Sequence, residues 1–353
     1  MQDDLFAADD PPTPLPTPLP ALKAAATPRG GAVRAVQHPA DLHDLAQSLP
    51  PTLRMGVSTW SYPGWDGLVW DGVYSDSTLS RKGLGALSQH PLMRTVCVDR
   101  SFWRPLSTEQ YAQMANQVPD DFRFMVKCPN VVTDALVRGE HGAGQERNPA
   151  FLDPGLACTQ FVLPCLDGLG PKLGVLVFQI SPLPWSLLQD TATLWRQLAA
   201  VLASTRAALQ HAPQVIVAVE VRDPLLLSPE LAQVLKAHGA TYCLGLHGKM
   251  PPIEPQLVFL RQLWPTPLVC RWNLNHSFGP FGYQAAQEKH RPFNALVSAD
   301  THTRAILART VRGITGAGQP AFVTISNDAE GCAPLSILRL AQQIAPAAGL
   351  EPA

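Results

Sequence analysis

Val215-Ile-Val-Ala-Val-Glu-Val-Arg222 is apolar on both alternating faces until its last residues. A strand with one wet face alternates apolar and polar residues. A run that is apolar on both faces has to be covered on both, as in a parallel sheet wrapped by helices. Its two charged residues, Glu220 and Arg222, fall at the carboxyl end and two apart, hence on one face.

Seven further runs of this kind flank it. On the amino side are Met55–Trp60, Thr95–Asp99, Phe122–Lys127 and Leu173–Gln179, and on the carboxyl side Thr241–His247, Leu268–Asn273 and Ala321–Asp328. Helical patterns separate several of them, such as Leu187–Leu209, Pro229–His238 and Pro334–Ile344. Strand–helix alternation predicts parallel α/β architecture, and eight units favour closure into a single (β/α)8 TIM-like barrel, which needs about 250 residues. The 353-residue chain accommodates that with a tail to spare. Residues 1–39 carry Pro11-Pro-Thr-Pro-Leu-Pro-Thr-Pro-Leu-Pro20 and then Ala- and Gly-rich stretches. Proline removes backbone donors and the segment has no apolar period, so a disordered Pro-rich N-terminal tail is expected, with the barrel domain at 40–353. A short helix is expected at Asp41–Ser48, a long surface loop from Arg138 to Pro149, and two helices within Phe278–Pro320.

The composition narrows the function classes. Net charge is −1, so no global field draws in nucleic acid or an acidic membrane. No apolar run is long enough to span a bilayer, and the start lacks the basic and apolar regions of a secretory signal, which together imply a cytoplasmic protein. The seven cysteines include no Cys-x-x-Cys pair, and those inside the apolar runs are expected to behave as small hydrophobes. Walker and dinucleotide glycine signatures are absent, as is any His-Glu-x-x-His cluster, so neither a metal nor another cofactor is implied.

The polar residues cluster where each run ends: Ser58, Asp99, Lys127, Gln179, Glu220 with Arg222, His247, Arg271 with Asn273, and Asn327 with Asp328. Parallel barrels carry their chemistry at this rim. The simplest alternative is that strands turn polar as they reach solvent. Glu220, Asp99 and His247 are the candidate acid–base groups. Arg104, Lys127, Arg222 and Arg271 are candidate anion contacts, since guanidinium forks suit carboxylate and phosphate. Gln179, Asn327 and Asp328 are candidate polar contacts, and Trp60 and Tyr62 offer flat faces for stacking or simply roof the barrel.

Several of these stretches resemble the YecE-like family (domain of unknown function 72). Gly56-Val-Ser-Thr-Trp-Ser-Tyr-Pro-Gly-Trp65 is similar to the family's opening Gly-Thr-Ser-x-Trp-Ser-Tyr-x-x-Trp. The likeness continues through Phe102-Trp-Arg104, Phe122–Lys127, Leu173–Gln179, Val219-Glu-Val-Arg222 and Ser326-Asn-Asp-Ala-Glu-Gly-Cys-Ala-Pro334. It runs from Met55 to about Leu340 and implies a β/α barrel with a pocket at the strand ends, but no particular reaction. Three departures stand out. Cys97 replaces the glutamate of the family's Thr-Val-Glu-x-Asn, with Asp99 in place of its asparagine. Asp134 replaces the histidine of Thr-His, and Trp103 replaces a tyrosine.

The expectation is therefore an enzyme, a hydrolase or lyase, acting by acid–base chemistry on a small anionic sugar- or nucleotide-like molecule. The alternative is a non-catalytic ligand-binding or regulatory barrel. A metal-dependent nuclease is disfavoured by the near-neutral charge and scattered histidines, and nucleic acid and membrane are not expected partners. The oligomeric state does not follow from the sequence.

Overall fold

The computed structural model describes residues 31–138 and 144–346. All eight apolar runs form strands. In chain order they are β1 (Leu53–Val57), β2 (Met93–Val98) and β3 (Arg123–Lys127), then a short pair β4 (Leu136–Arg138) and β5 (Gly144–Arg147), then β6 (Leu173–Ile180), β7 (Ile216–Val221), β8 (Thr241–Leu246), β9 (Leu268–Trp272) and β10 (Ala321–Ile325). Every strand except β4 and β5 belongs to one closed parallel barrel, in the circular order β1-β2-β3-β6-β7-β8-β9-β10. The crossover stretches are helical, as a parallel connection requires.

Two apolar layers result. Cys97, Met125, Val175, Val177, Ile216, Ala218, Cys243, Val269 and Phe322 pack together as a separate cluster inside the barrel. The opposite faces of the same strands join a much larger cluster with the surrounding helices. The barrel is thus filled with side chains rather than open as a pore. One alternation step beyond the inner layer the residues turn polar: Asp99 after Cys97, Lys127 after Met125, Gln179 after Val177, Glu220 after Ala218 and Arg271 after Val269. Period-two geometry keeps each on the inward face, so the inner apolar layer is the floor beneath the polar rim.

Closure at the β1–β2 seam depends on Gly56. The register shifts between Met55 and Gly56, and a Cβ at Gly56 would overlap the Thr95 carbonyl oxygen of β2. The helices Tyr283–His290 and Thr301–Gly316 fill the long β9–β10 connection, as the sequence suggests. Glu330 ties that connection down. Its carbonyl accepts from the Val297 and Ser298 N–H groups, and its buried carboxylate accepts from Asp300 N–H (2.7 Å) and pairs with Arg304.

Three expectations need correction. The Arg138–Pro149 linker contains β5 and ends β4, so it is in part an antiparallel hairpin rather than a plain loop. The Leu187–Leu209 pattern is two helices, Trp185–Gln189 and Thr191–Ala208, because the Asp190 side chain caps a new start by accepting from Thr193 N–H. The tail does not stay unpacked as far as Pro39. Residues 1–30 lie outside the described residues, but Val36 N–H donates to Val69 carbonyl (3.0 Å), Asp71 N–H donates to Arg34 carbonyl (3.1 Å), and Val33 and Ala35 pack against the core. The seven cysteines are free, and all but Cys158 are buried. No helix among the described residues is long and apolar enough to cross a membrane.

Two outcomes follow from this architecture. Gly56→Ala should destabilise the protein by about 3 kcal/mol, the upper end for overpacking, because the obstacle is backbone. Urea unfolding with an unchanged midpoint would show that the seam relaxes freely. A chain starting at Pro39 should melt about 4 °C below one starting at Gly31, having lost the docked segment's bonds and contacts. Equal melting temperatures would show that the docking contributes nothing.

Candidate functional site

The polar rim is organised around Arg271 at the end of β9. Its Nη1 donates to Glu220 Oε2 (2.7 Å) and to Gln179 Oε1 (3.2 Å), and its Nη2 donates to Asp99 Oδ1 (2.8 Å). β9 adjoins neither β2 nor β7, so these bonds cross the barrel mouth. Arg222 holds the other side of the same carboxylate. Its Nε lies 2.9 Å from Glu220 Oε1, and its Nη2 donates to Gln179 Oε1 (3.0 Å). Glu220 is fully buried, and Gly245 makes room for it: a Cβ there would stand 2.8 Å from Glu220 Oε1. Burial alone would raise the Glu220 carboxyl, but Arg271, Arg222 and Lys127 outweigh it and hold the group below the usual carboxylate range. It is therefore a fixed anion, poorly suited to accept a proton near neutrality.

Asp99 differs. Its side chain is 32% exposed, and only Oδ1 is engaged, by Arg271 and by the Cys97 thiol (3.1 Å). Among the described residues Asp99 Oδ2 has no bonding partner. Burial pushes the Cys97 thiol well up, so Cys97 acts as a neutral donor within the barrel.

Lys127, at the end of β3, is a further charge of the rim. Its Nζ lies 3.6 Å from the centre of the Phe102 ring, and its side chain is buried. No carboxylate lies within ion-pair distance of it among the described residues. Burial, then the nearby Arg271 and Arg222, lower its pKa to about 8 against the opposing pull of Asp99 and Glu220.

His247 borders this group. Its Nδ1 accepts from the Lys249 backbone N–H (3.1 Å), which leaves the ring proton on Nε2, and burial followed by Arg222 and Lys249 keeps the imidazole neutral. Asn327 and Tyr62 form a second cluster on the β10–β1 side. Asn327 Oδ1 accepts from Trp65 Nε1 (3.3 Å) and from Ala333 N–H (2.8 Å). Tyr62 lies against Trp65 and Phe293, and its phenol is raised by burial and by Asp328. A narrow crevice lined by Ser58, Tyr62, Trp65, Ser326 and Asn327 opens here. Asp328 opens the short helix Asn327–Glu330, its backbone N–H capped by Ser326 Oγ (3.2 Å).

Of the residues chosen from sequence, Asp99, Lys127, Gln179, Glu220, Arg222 and Arg271 converge, with His247 beside them. Arg104 does not join them. The short helix Arg100–Trp103 carries it off the end of β2, and it is exposed. Trp60 is buried beneath the Arg100 guanidinium (5.7 Å), so its face is already covered. Asp134 faces the hairpin, paired with Arg138. Sequence reasoning missed Phe102 as the lysine's partner and Gly245 as the space for Glu220. It also missed a cavity of about 350 Å³ on the flank, lined by Ala135, Arg147, Asn148, Phe151, Leu187 and Gln197. Among the described residues Arg147 is the one ionisable group lining that cavity, whereas several meet at the rim. No three His, Cys, Asp or Glu side chains among the described residues converge as metal ligands would.

Comparison with known proteins agrees with this architecture. A search of curated proteins finds no match. Among the solved structures that share the fold are a DUF72 family protein from Enterococcus faecalis V583, with 17% identity, a TM-score of 0.53 and coverage of 85% of this chain and 98% of that one, and a DUF72 family protein from Thermotoga maritima MSB8, with 18% identity, a TM-score of 0.53 and coverage of 83% and 98%. The family described as "Protein of unknown function DUF72" matches residues 54–352, and the chain belongs to it.

Proposed function

We propose that the barrel mouth binds a small anionic molecule and performs acid–base chemistry on it, as a hydrolase or lyase would. One observation carries the reading. Around Arg271 the described residues bring three cations, Lys127, Arg222 and Arg271, together with two carboxylates, Glu220 and Asp99, and among the described residues Lys127 has no carboxylate at ion-pair distance. An ammonium in a poorly hydrated site with no carboxylate beside it favours an anion. Within this reading Glu220 is scaffolding that aims both guanidiniums. Asp99, with one oxygen open, is the carboxylate placed to move a proton. His247 can donate from Nε2. A sugar- or nucleotide-like body would lie on the Asp99 side of the rim, which reaches solvent, since the crevice beside Tyr62 and Asn327 is too narrow to admit one.

The test is thermal stabilisation of the purified protein by inorganic phosphate, sulfate and small carboxylates, set against uncharged analogues. Lys127 is charged below about 8 and neutral above it, so anion binding should weaken as pH rises through about 8. Lys127→Met should reduce affinity by about tenfold or more and flatten that pH dependence. Absence of stabilisation by any anion, or an unchanged response in the variant, would overturn the reading.

The division of labour between the carboxylates is separately measurable. Glu220→Gln should lower the unfolding free energy by about 3–5 kcal/mol, since it strips two buried guanidiniums of a shared counter-charge. Asp99→Asn, at a part-exposed site, should lower it by about 1 kcal/mol. Urea unfolding that ranks them the other way would make Asp99 the scaffold.

A further inference from the structure

A lysine buried in a polar rim is normally matched by a carboxylate, because an unpaired ammonium out of water is strongly disfavoured. Lys127 is buried without one. Its Nζ rests on the face of Phe102, and the charged groups of β7 and β9 closest to it include two guanidiniums, which repel it. At the end of the neighbouring β2, Asp99 keeps one oxygen free. An amine on an apolar platform, flanked by cations and by a carboxylate able to carry a proton, is the arrangement that makes a lysine nucleophilic.

We infer that Lys127 forms an imine with the carbonyl carbon of a small anionic aldehyde or ketone, a 2-oxo acid or a phosphorylated sugar, at the mouth of the barrel. This rests on the anion-binding reading above and specifies its substrate class. The neutral amine attacks the carbonyl carbon, forming the C–N bond, and the carbonyl oxygen takes up a proton. The resulting carbinolamine loses that oxygen as water, breaking the C–O bond and leaving C=N. Asp99 delivers the proton to the departing hydroxyl and receives one from nitrogen, so no oxidant or reductant is required. Arg222 and Arg271, which stay charged when Lys127 is neutral, face the carboxylate or phosphate of the substrate. With its pKa lowered to about 8 by burial and then by Arg271 and Arg222, Lys127 presents far more neutral amine near neutrality than a surface lysine does.

The experiment is reductive trapping on the full chain. The protein is incubated separately with pyruvate and with glyceraldehyde 3-phosphate in the presence of sodium cyanoborohydride, and the adducts are mapped by peptide mass spectrometry. The expected result is one secondary-amine adduct, heavier by the mass of the carbonyl compound less one oxygen atom. It should form on Lys127 about tenfold or more faster than on the exposed Lys82 and Lys236. Preference for one probe distinguishes an oxo acid from a sugar phosphate. Lys127→Arg removes the nucleophile, so it should lose the adduct at this position while the slow background on Lys82 and Lys236 stays as it was. Labelling of Lys82 and Lys236 as fast as Lys127, or faster, would overturn the imine. If sulfate still stabilises the protein in that case, anion binding survives without it. If sulfate does not, both readings fall together.

Discussion

A guanidinium taken out of water must find acceptors for its N–H groups inside the protein, and leaving them unmet is expensive. Arg271 is in that position, almost wholly buried at the end of β9. It reaches Glu220 on β7, Gln179 on β6 and Asp99 at the end of β2, which makes it a strut across the top of the barrel. The neighbouring residues are constrained by that strut. Gly245 has no side chain because Glu220 occupies the space, and Gln179 turns its carbonyl oxygen inward because two arginines need it. Apolar residues of similar volume would hold the mouth together at least as well. What the charged version adds is a directed electric field above an apolar floor.

The barrel was legible in the sequence because its strands are covered on both faces, and uninterrupted apolar runs are hard to explain otherwise. The site was legible as far as the strands extend. Asp99, Lys127, Gln179, Glu220 and Arg271 each continue the inward alternation of a strand, so their direction could be read from spacing alone. Past the strand ends that rule lapses. Trp60, Tyr62 and Arg104 follow β1 and β2 by a few residues, and turns redirect them to a covered ring, a side crevice and solvent. The docked segment before Pro39 and the β4–β5 hairpin were invisible for a related reason. The first is held by contacts made through the tertiary fold, the second is a pairing only a few residues long, and neither has an apolar period of its own.

Position 97 shows how a charge can move without changing the total. The YecE-like pattern has glutamate there and asparagine two residues later, whereas this chain has Cys97 and then Asp99. Both positions share the inward face of the β2 line, so the carboxylate has advanced one alternation step, about 6–7 Å, toward the mouth. Cys97 fills the vacated depth as an apolar-layer residue and donates its thiol hydrogen to the relocated group. The acid thereby gains contact with solvent while keeping its bond to Arg271, and Glu220 remains the sole carboxylate at the deeper level of the Arg271 network.

The β9–β10 connection makes the mouth lopsided. Glu330 fastens its chain near Val297–Arg304, Phe293 leans on Tyr62, and a Cβ at Gly64 would overlap the Pro292 carbonyl oxygen, so the β10–β1 side is roofed by tightly fitted backbone. On the far side, past the ends of β2 and β6, Trp103 and Trp185 stand exposed and Asp99 is within reach of solvent. The molecule therefore has a front and a back. A molecule approaching from the front meets Asp99 first, with Lys127 buried behind it and the roof beyond. The mouth is open on one side only, with a part-exposed carboxylate at its edge and close-fitted backbone at its rear.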